Sequence, residues 1–191
     1  MSMIVRIALA LVLPLVVAGC VSTPATTYQP GVDNTERLLA GRGEAAVGRF
    51  DAAAGVENRS LNMRGSALKG GRDGTFSTYL QDAVVRELQE AGRYREGASV
   101  VIGGTLLDNR LNAASGTGTA RVSAEFIVTR DGQRVYARTF EVENRWESSF
   151  MGAIAIPAAI QGYSATVQKL LGELFADPEF RRAMGEDPSA K

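Results

Sequence analysis

Histidine is absent from the 191 residues of this chain, and cysteine occurs once. Without an imidazole there is no histidine general base, no Ser-His-Asp or Cys-His nucleophile, and no zinc or iron site built on imidazole ligands. A lone cysteine excludes an intrachain disulfide and any CxxC redox or metal motif. An excess of one charge is missing too. The 21 Lys plus Arg balance 21 Asp plus Glu, so no overall basic field holds nucleic acid and no acidic excess holds a basic partner. These absences exclude those chemistries, and no metal, cofactor or catalytic residue is assigned. Carboxylate chemistry, binding and a structural role remain.

What is present begins at the amino terminus. Met1 to Arg6 carries one cation, and Ile7 to Ala18 (IALALVLPLVVA) is an apolar run of 12 residues. A membrane-spanning helix needs about 20 such residues, so this run has the size of a signal-peptide hydrophobic region. It ends in Ala18 and Gly19, directly before Cys20. Val17-Ala18-Gly19-Cys20 resembles the lipobox of bacterial lipoproteins. That resemblance implies removal of residues 1–19, acylation of Cys20 and, because Val21 is not Asp, sorting to the outer membrane, facing the periplasm. The competing reading is an ordinary secretory signal with a chance cysteine. Loss of Arg6 leaves 20 cations against 21 anions, a net charge of −1. Such a domain would be held by acyl chains, at about 0.8 kcal/mol per buried methylene, and not by basic patches.

Val21 to Asn34 (VSTPATTYQPGVDN) is rich in Thr, Pro and small polar residues and reads as a tether. Thr35 to Ala40 adds one helical turn. Gly41-Arg42-Gly43 lacks the Gly-Lys-Ser or Gly-Lys-Thr of a phosphate-binding loop and reads as linker. The expected organisation is a signal peptide at 1–19, lipidated Cys20 and tether at 20–44, a domain at 45–176, and a short helix with a tail at 177–191.

Within the domain, Ala45 to Phe50 suits a short strand, although Val47 and Phe50, three apart, fall on opposite faces. Ser60 to Leu68 suits an edge strand with Leu61 and Met63 on one face. Asp73-Gly74-Thr75 and Gly92 bracket an amphipathic helix, with Phe76, Tyr79, Leu80, Ala83, Val84 and Leu88 along one stripe. Ser99 to Leu107 reads as a central strand whose Gly103-Gly104 permits a bulge or a close approach. Thr119 to Thr129 places Ala120, Val122, Ala124, Phe126 and Val128 on one face. Asp131-Gly132 is a two-residue hairpin signal, and Arg134 to Trp146 continues as a strand. A last helix is expected from Pro157, with Tyr163, Val167, Leu170, Leu171 and Leu174 inward, ending at Asp177-Pro178. Two striped helices need an apolar sheet face to cover. The pattern therefore predicts an α+β two-layer sandwich, with a mixed, mostly antiparallel sheet of four or five strands and two helices packed on it.

Signal, lipobox, polar tether, short strands, the helix exit Ala91-Gly92-Arg93-Tyr94 and the Gly103-Gly104 strand together resemble a group of Gram-negative envelope lipoproteins. The group includes the lipopolysaccharide-assembly, curli-secretion and transport-auxiliary lipoproteins and the related amino-terminal domain of the Tol-system beta-propeller protein. The resemblance covers roughly residues 45–176 and implies an accessory role at the outer membrane, through an envelope protein partner, lipid or self-association. It carries over no functional residue.

Phe150 to Ile160 (FMGAIAIPAAI) is 11 residues without a charged or amide side chain, preceded by Trp146-Glu147-Ser148-Ser149. It is either a buried connection between the last strand and the last helix or an exposed apolar segment that enters lipid or docks on a partner. In the second case Trp146, Phe150, Met151, Ile154 and Ile156 make the contact, Trp146 and Phe150 suiting an interfacial position. The acids available for hydrolysis are Asp82, Glu87, Asp108, Glu125, Glu141, Glu143 and Glu147, with Glu141 and Glu143 side by side on one strand face. Gly162-Tyr163-Ser164-Ala165-Thr166 lacks the second glycine of a nucleophile elbow. Arg110, Arg121, Arg138 and Arg145 are expected in ion pairs with the abundant acids or on an anionic group. A non-catalytic binding role leads; an oligomeric or pore-forming component and a carboxylate hydrolase are the alternatives.

Overall fold

The computed structural model describes residues 22–25 and 27–185. In chain order the elements are β1 (Ser22–Pro24), α1 (Val32–Leu39), β2 (Ala46–Ala52), β3 (Leu61–Met63), β4 (Ser66–Lys69), α2 (Phe76–Glu90), β5 (Val100–Asn112), β6 (Gly116–Arg130), β7 (Gln133–Ser148), α3 (Gly152–Ala176) and α4 (Pro178–Ala183). The main sheet has the order β2-β5-β6-β7, with β2 parallel to β5 and the remaining pairs antiparallel. Helices α2 and α3 cover one face, α2 over β2 and α3 over β6 and β7. The other face carries Glu125, Glu141, Glu143 and Arg145 toward solvent. This is the expected α+β two-layer arrangement, and a separate small sheet of order β1-β4-β3 lies at its side.

Where the alternation of apolar residues is regular, it gives the core directly. Ala120, Val122, Ala124, Phe126 and Val128 are all buried, and Asp131 and Gly132 both adopt positive φ in the β6–β7 turn, as a two-residue hairpin requires. Thr75 caps α2 by accepting from the Thr78 amide, while Gly92 takes φ +65° just past its end.

Irregularities move several boundaries. A bulge at Gly48 and Arg49 re-phases β2, so Val47 opposes Ile102 and Phe50 opposes Gly104. Val47 and Phe50 thus share the inward face, contrary to the expectation from their spacing. Gly104 leaves room for the Phe50 ring, which would lie 2.6 Å from a Cβ there. A second bulge at Leu107 turns that side chain outward and restores Asn109 to the core, which carries β5 on to Asn112. Ser60 to Leu68 is not one strand but a hairpin, folded at Arg64 and Gly65, both at positive φ.

The tether is shorter than expected. Tyr28, Asn34 and Leu38 are buried, because α1 packs across α2 and α3. The carboxy-terminal segment also joins the body, since Phe180 and Met184 are 1% and 2% exposed. Helix α3 starts at Gly152 and not at Pro157, which sits inside it. As the sixth residue of the helix, Pro157 removes the backbone bond to the carbonyl of Ala153, which lies in the exposed first turn.

Candidate functional site

The chain leaves β7 at Ser148 and turns through Ser149, Phe150 and Met151 into α3. Phe150 is 87% exposed, Met151 60% and Ile154 55%. From Phe150 to Gln168 there is no charged side chain. Ala155 and Ala159 face the core, so the first turn of α3 presents Ile154 outward beside Phe150 and Met151.

Of the five residues expected to make contact, these three are brought together on the surface. Ile156 is half-buried against the core, and so is Trp146. The Trp146 indole lies between Gly118 on β6 and Gly162 on α3. A Cβ would fall 2.3 Å from its Nε1 at the first position and 2.5 Å from its ring at the second. Trp146 is therefore a packing wedge between sheet and helix and not an interfacial side chain.

The reading of the sequence missed Arg64. At the tip of the β3–β4 hairpin it donates from Nη1 to the Phe150 carbonyl at 2.8 Å and from Nε to the Ala113 carbonyl at 2.7 Å. It ties together the small sheet, the β5–β6 loop and the exposed turn. The available signal was Arg64-Gly65 as a turn dipeptide between short apolar runs.

The candidate acids are dispersed. Asp82 pairs with Arg72, and Glu141 and Glu143 pair with Arg121 and Arg145 at 2.6 and 2.7 Å. Asp108 holds Arg110 at 2.9 Å and Arg121 at 3.5 Å. An open groove beside the 54–57 loop is lined by Asp108, Asn109, Arg110, Arg121 and Glu143. Ser164 sits on α3, accepting a long hydrogen bond from Tyr79. Among the described residues no group of three acids, His or Cys could hold a metal ion, and no helix is long and apolar enough to cross a membrane. Cys20 lies outside the described residues.

Two buried carboxylates do structural work. Glu87 Oε1 accepts from the Tyr28 hydroxyl at 2.5 Å, the Gly31 amide at 3.1 Å and Asn34 Nδ2 at 2.9 Å. Asp177 caps α4 by accepting from the Glu179 amide, and also accepts from Tyr136 at 2.9 Å and Arg138 at 2.7 Å. Burial works to raise the Asp177 carboxyl, but these donors outweigh it and hold the group below the usual carboxylate range.

No family model matches the chain, and no curated protein matches it at a significant level. Among solved structures, protein XCC0632 of Xanthomonas campestris, from family DUF330, shares 18% identity with a TM-score of 0.56, over 81% of this chain and 94% of that one. The likeness is one of fold, a two-layer α+β domain. A protein described as a candidate lipoprotein from Caulobacter crescentus aligns at 18% identity and TM-score 0.44, over 81% of this chain and 98% of its own. A minor lipoprotein from Acinetobacter baumannii aligns at 10% identity and TM-score 0.40, over 74% and 95%.

Proposed function

We propose that this chain is a lipid-anchored protein of the bacterial outer membrane that assists envelope assembly or transport by contacting a protein or lipid partner, without catalysis of its own. The observation that carries this reading is Val17-Ala18-Gly19-Cys20 at the end of a 12-residue apolar run, followed within two residues by the first strand of the domain. The exposed apolar turn at Phe150 supports it. The periplasm-facing leaflet and the kinship with assembly and transport-auxiliary lipoproteins belong to the same proposal.

Mass spectrometry of the mature protein tests the anchor. The expected amino terminus is an acylated Cys20, and a Cys20→Ser variant should leave the membrane fraction. A variant still acylated or still membrane-bound would overturn the assignment. Purification from detergent-solubilised envelopes then identifies what accompanies it, including a second copy of the chain, as an oligomeric component would require.

One observation favours a second reading: Asp108 and Glu143 line the same groove. Glycoside hydrolysis needs one carboxyl of a pair as proton donor. Here each acid is engaged by an arginine, which speaks for a paired polar surface. Turnover of a glycoside by the native chain, abolished in Asp108→Asn and Glu143→Gln, would favour the hydrolase.

A further inference from the structure

The exposed turn and the start of the domain occupy the same end of the molecule. β1 runs parallel to β4 with Ser22 opposite Ala67, so the chain comes into the fold beside the Arg64-Gly65 hairpin tip. Arg64 in turn holds the Phe150 carbonyl. Cys20 is two residues before Ser22, a reach of about 7 Å.

The surroundings of the turn suit lipid. Ala114, Ser115, Gly116 and Thr117, in and beside the β5–β6 loop, are exposed and uncharged at this end, with Arg64, which holds the Phe150 carbonyl, and Glu147, opposite Thr117, as exposed charges at its rim. The opposite end, at the β6–β7 hairpin and α4, carries Asp131, Arg134, Glu179, Arg181 and Arg182. Phe150, Met151 and Ile154 are three side chains, against the roughly 20–30 residues a side of a stable protein interface. They need only a few ångströms of hydrocarbon, within reach of a nearby anchor.

Resting on the reading that Cys20 is acylated, we propose that Phe150, Met151 and Ile154 form an apolar prong that enters the same leaflet as the Cys20 acyl chains. The prong adds to the lipid a second contact at one end of the domain. Two contacts fix orientation where one leaves the domain free to tumble. The β6–β7 hairpin then points away from the bilayer, presenting the charged end to the aqueous compartment.

The full acylated lipoprotein, reconstituted in vesicles of phosphatidylethanolamine and phosphatidylglycerol, tests this. With the Cys20 sulfur consumed by lipid, Met151→Cys or Ile154→Cys provides the one free thiol for an environment-sensitive dye, and Arg134→Cys labels the far end. Positions 151 and 154 should emit blue-shifted light, quenched several-fold more by doxyl-labelled lipid than by aqueous iodide, with position 134 showing the reverse. If acylated protein leaves all three positions equally open to iodide, the prong is overturned while the anchor stands. Shielding at 151 and 154 from both quenchers also overturns it, pointing to a second copy of the chain as the occupant. An unacylated Cys20 removes the underlying reading and the prong with it.

Discussion

The hydroxyl of Tyr28 donates to Glu87 Oε1 at 2.5 Å, and both side chains are buried, at 1% and 0% exposure. Asn34 Nδ2 donates to the same oxygen, so one carboxylate on α2 gathers the segment that leads from the amino terminus into α1. At the far end of α1, the buried Arg93 donates to the carbonyls of Leu38 and Gly43. The amino-terminal arm is thus held at both ends by buried side chains, Glu87 through its Oε1 and Arg93 through its guanidinium. Truncating either side of such a bond strands the other.

Tyr28→Phe keeps the ring against Tyr79 but removes the donor to Glu87. Removing one partner of a buried hydrogen bond costs about 1–3 kcal/mol. The expected result is faster amide hydrogen exchange across residues 27–39, with the β6 and β7 amides unchanged. Glu87→Ala should open the arm further, since it removes the acceptor for Tyr28, Gly31 and Asn34 together. Unchanged exchange in both variants would show that the Glu87 bonds are not what holds the arm.

Alkaline pH tests the buried tyrosines as a group. Tyr28, Tyr79, Tyr136 and Tyr163 are all held above their ordinary value of 10.0, first by burial and, for Tyr28 and Tyr136, next by Glu87 and Asp177 respectively. A group whose folded pKa is raised contributes stability that is complete below the unfolded value and lost as pH climbs past it. Above pH 10 each tyrosine that stays protonated in the fold should therefore cost about 1.4 kcal/mol per pH unit, at most about 5.6 kcal/mol per pH unit for the four together. Phenolate absorbance from these residues should appear with loss of the fold and not before it. Reversible ionisation of all four in the native state would contradict this burial.

The sequence made the main sheet and its helical layer legible because β6 alternates apolar and polar residues from Ala120 to Phe126 and α2 keeps one apolar stripe between a threonine cap and a glycine stop. It failed where the pairing partner decides. The bulges at Gly48 and Leu107 depend on the neighbouring strand, and the burial of Tyr28 depends on a carboxylate 59 positions away. Composition marked the amino-terminal arm as tether because Thr and Pro usually signal loop, while two well-placed residues were enough to dock it. The apolar run at 150–160 was visible as unusual. Which of its side chains face outward became readable only once α3 was seen to start at Gly152, which sets Ala155 inward and Ile154 outward.

Asp177 predicts an acid-side effect of opposite sign to the tyrosines. Its folded-state pKa is depressed, so its contribution is present above the ordinary 3.8 and disappears as pH falls through the folded value. Asp177→Asn preserves a capping oxygen for the Glu179 amide but removes the charge that engages Arg138 and Tyr136. At neutral pH the variant should lose about 1.5–3 kcal/mol in urea unfolding. Below about pH 4 the difference from the parent should shrink. A gap that stays constant with pH would assign the loss to packing and not to charge.

The wedge of Trp146 between Gly118 and Gly162 can be tested with the smallest side chain. Gly162→Ala places a methyl where the ring lies 2.5 Å away, whereas Gly152, in the first turn of the same helix, has nothing within 4 Å of such a methyl. Alanine is otherwise favoured in a helix by about 1 kcal/mol. Gly152→Ala should therefore be neutral or mildly stabilising. Gly162→Ala should cost about 1–3 kcal/mol as α3 and the sheet are pushed apart. Because Trp146 is the sole tryptophan, its emission reports the displacement directly, and Gly118→Ala, acting on the same ring from the sheet side, should shift it as well. If Gly162→Ala proves as harmless as Gly152→Ala, with unchanged emission, the indole does not occupy that gap.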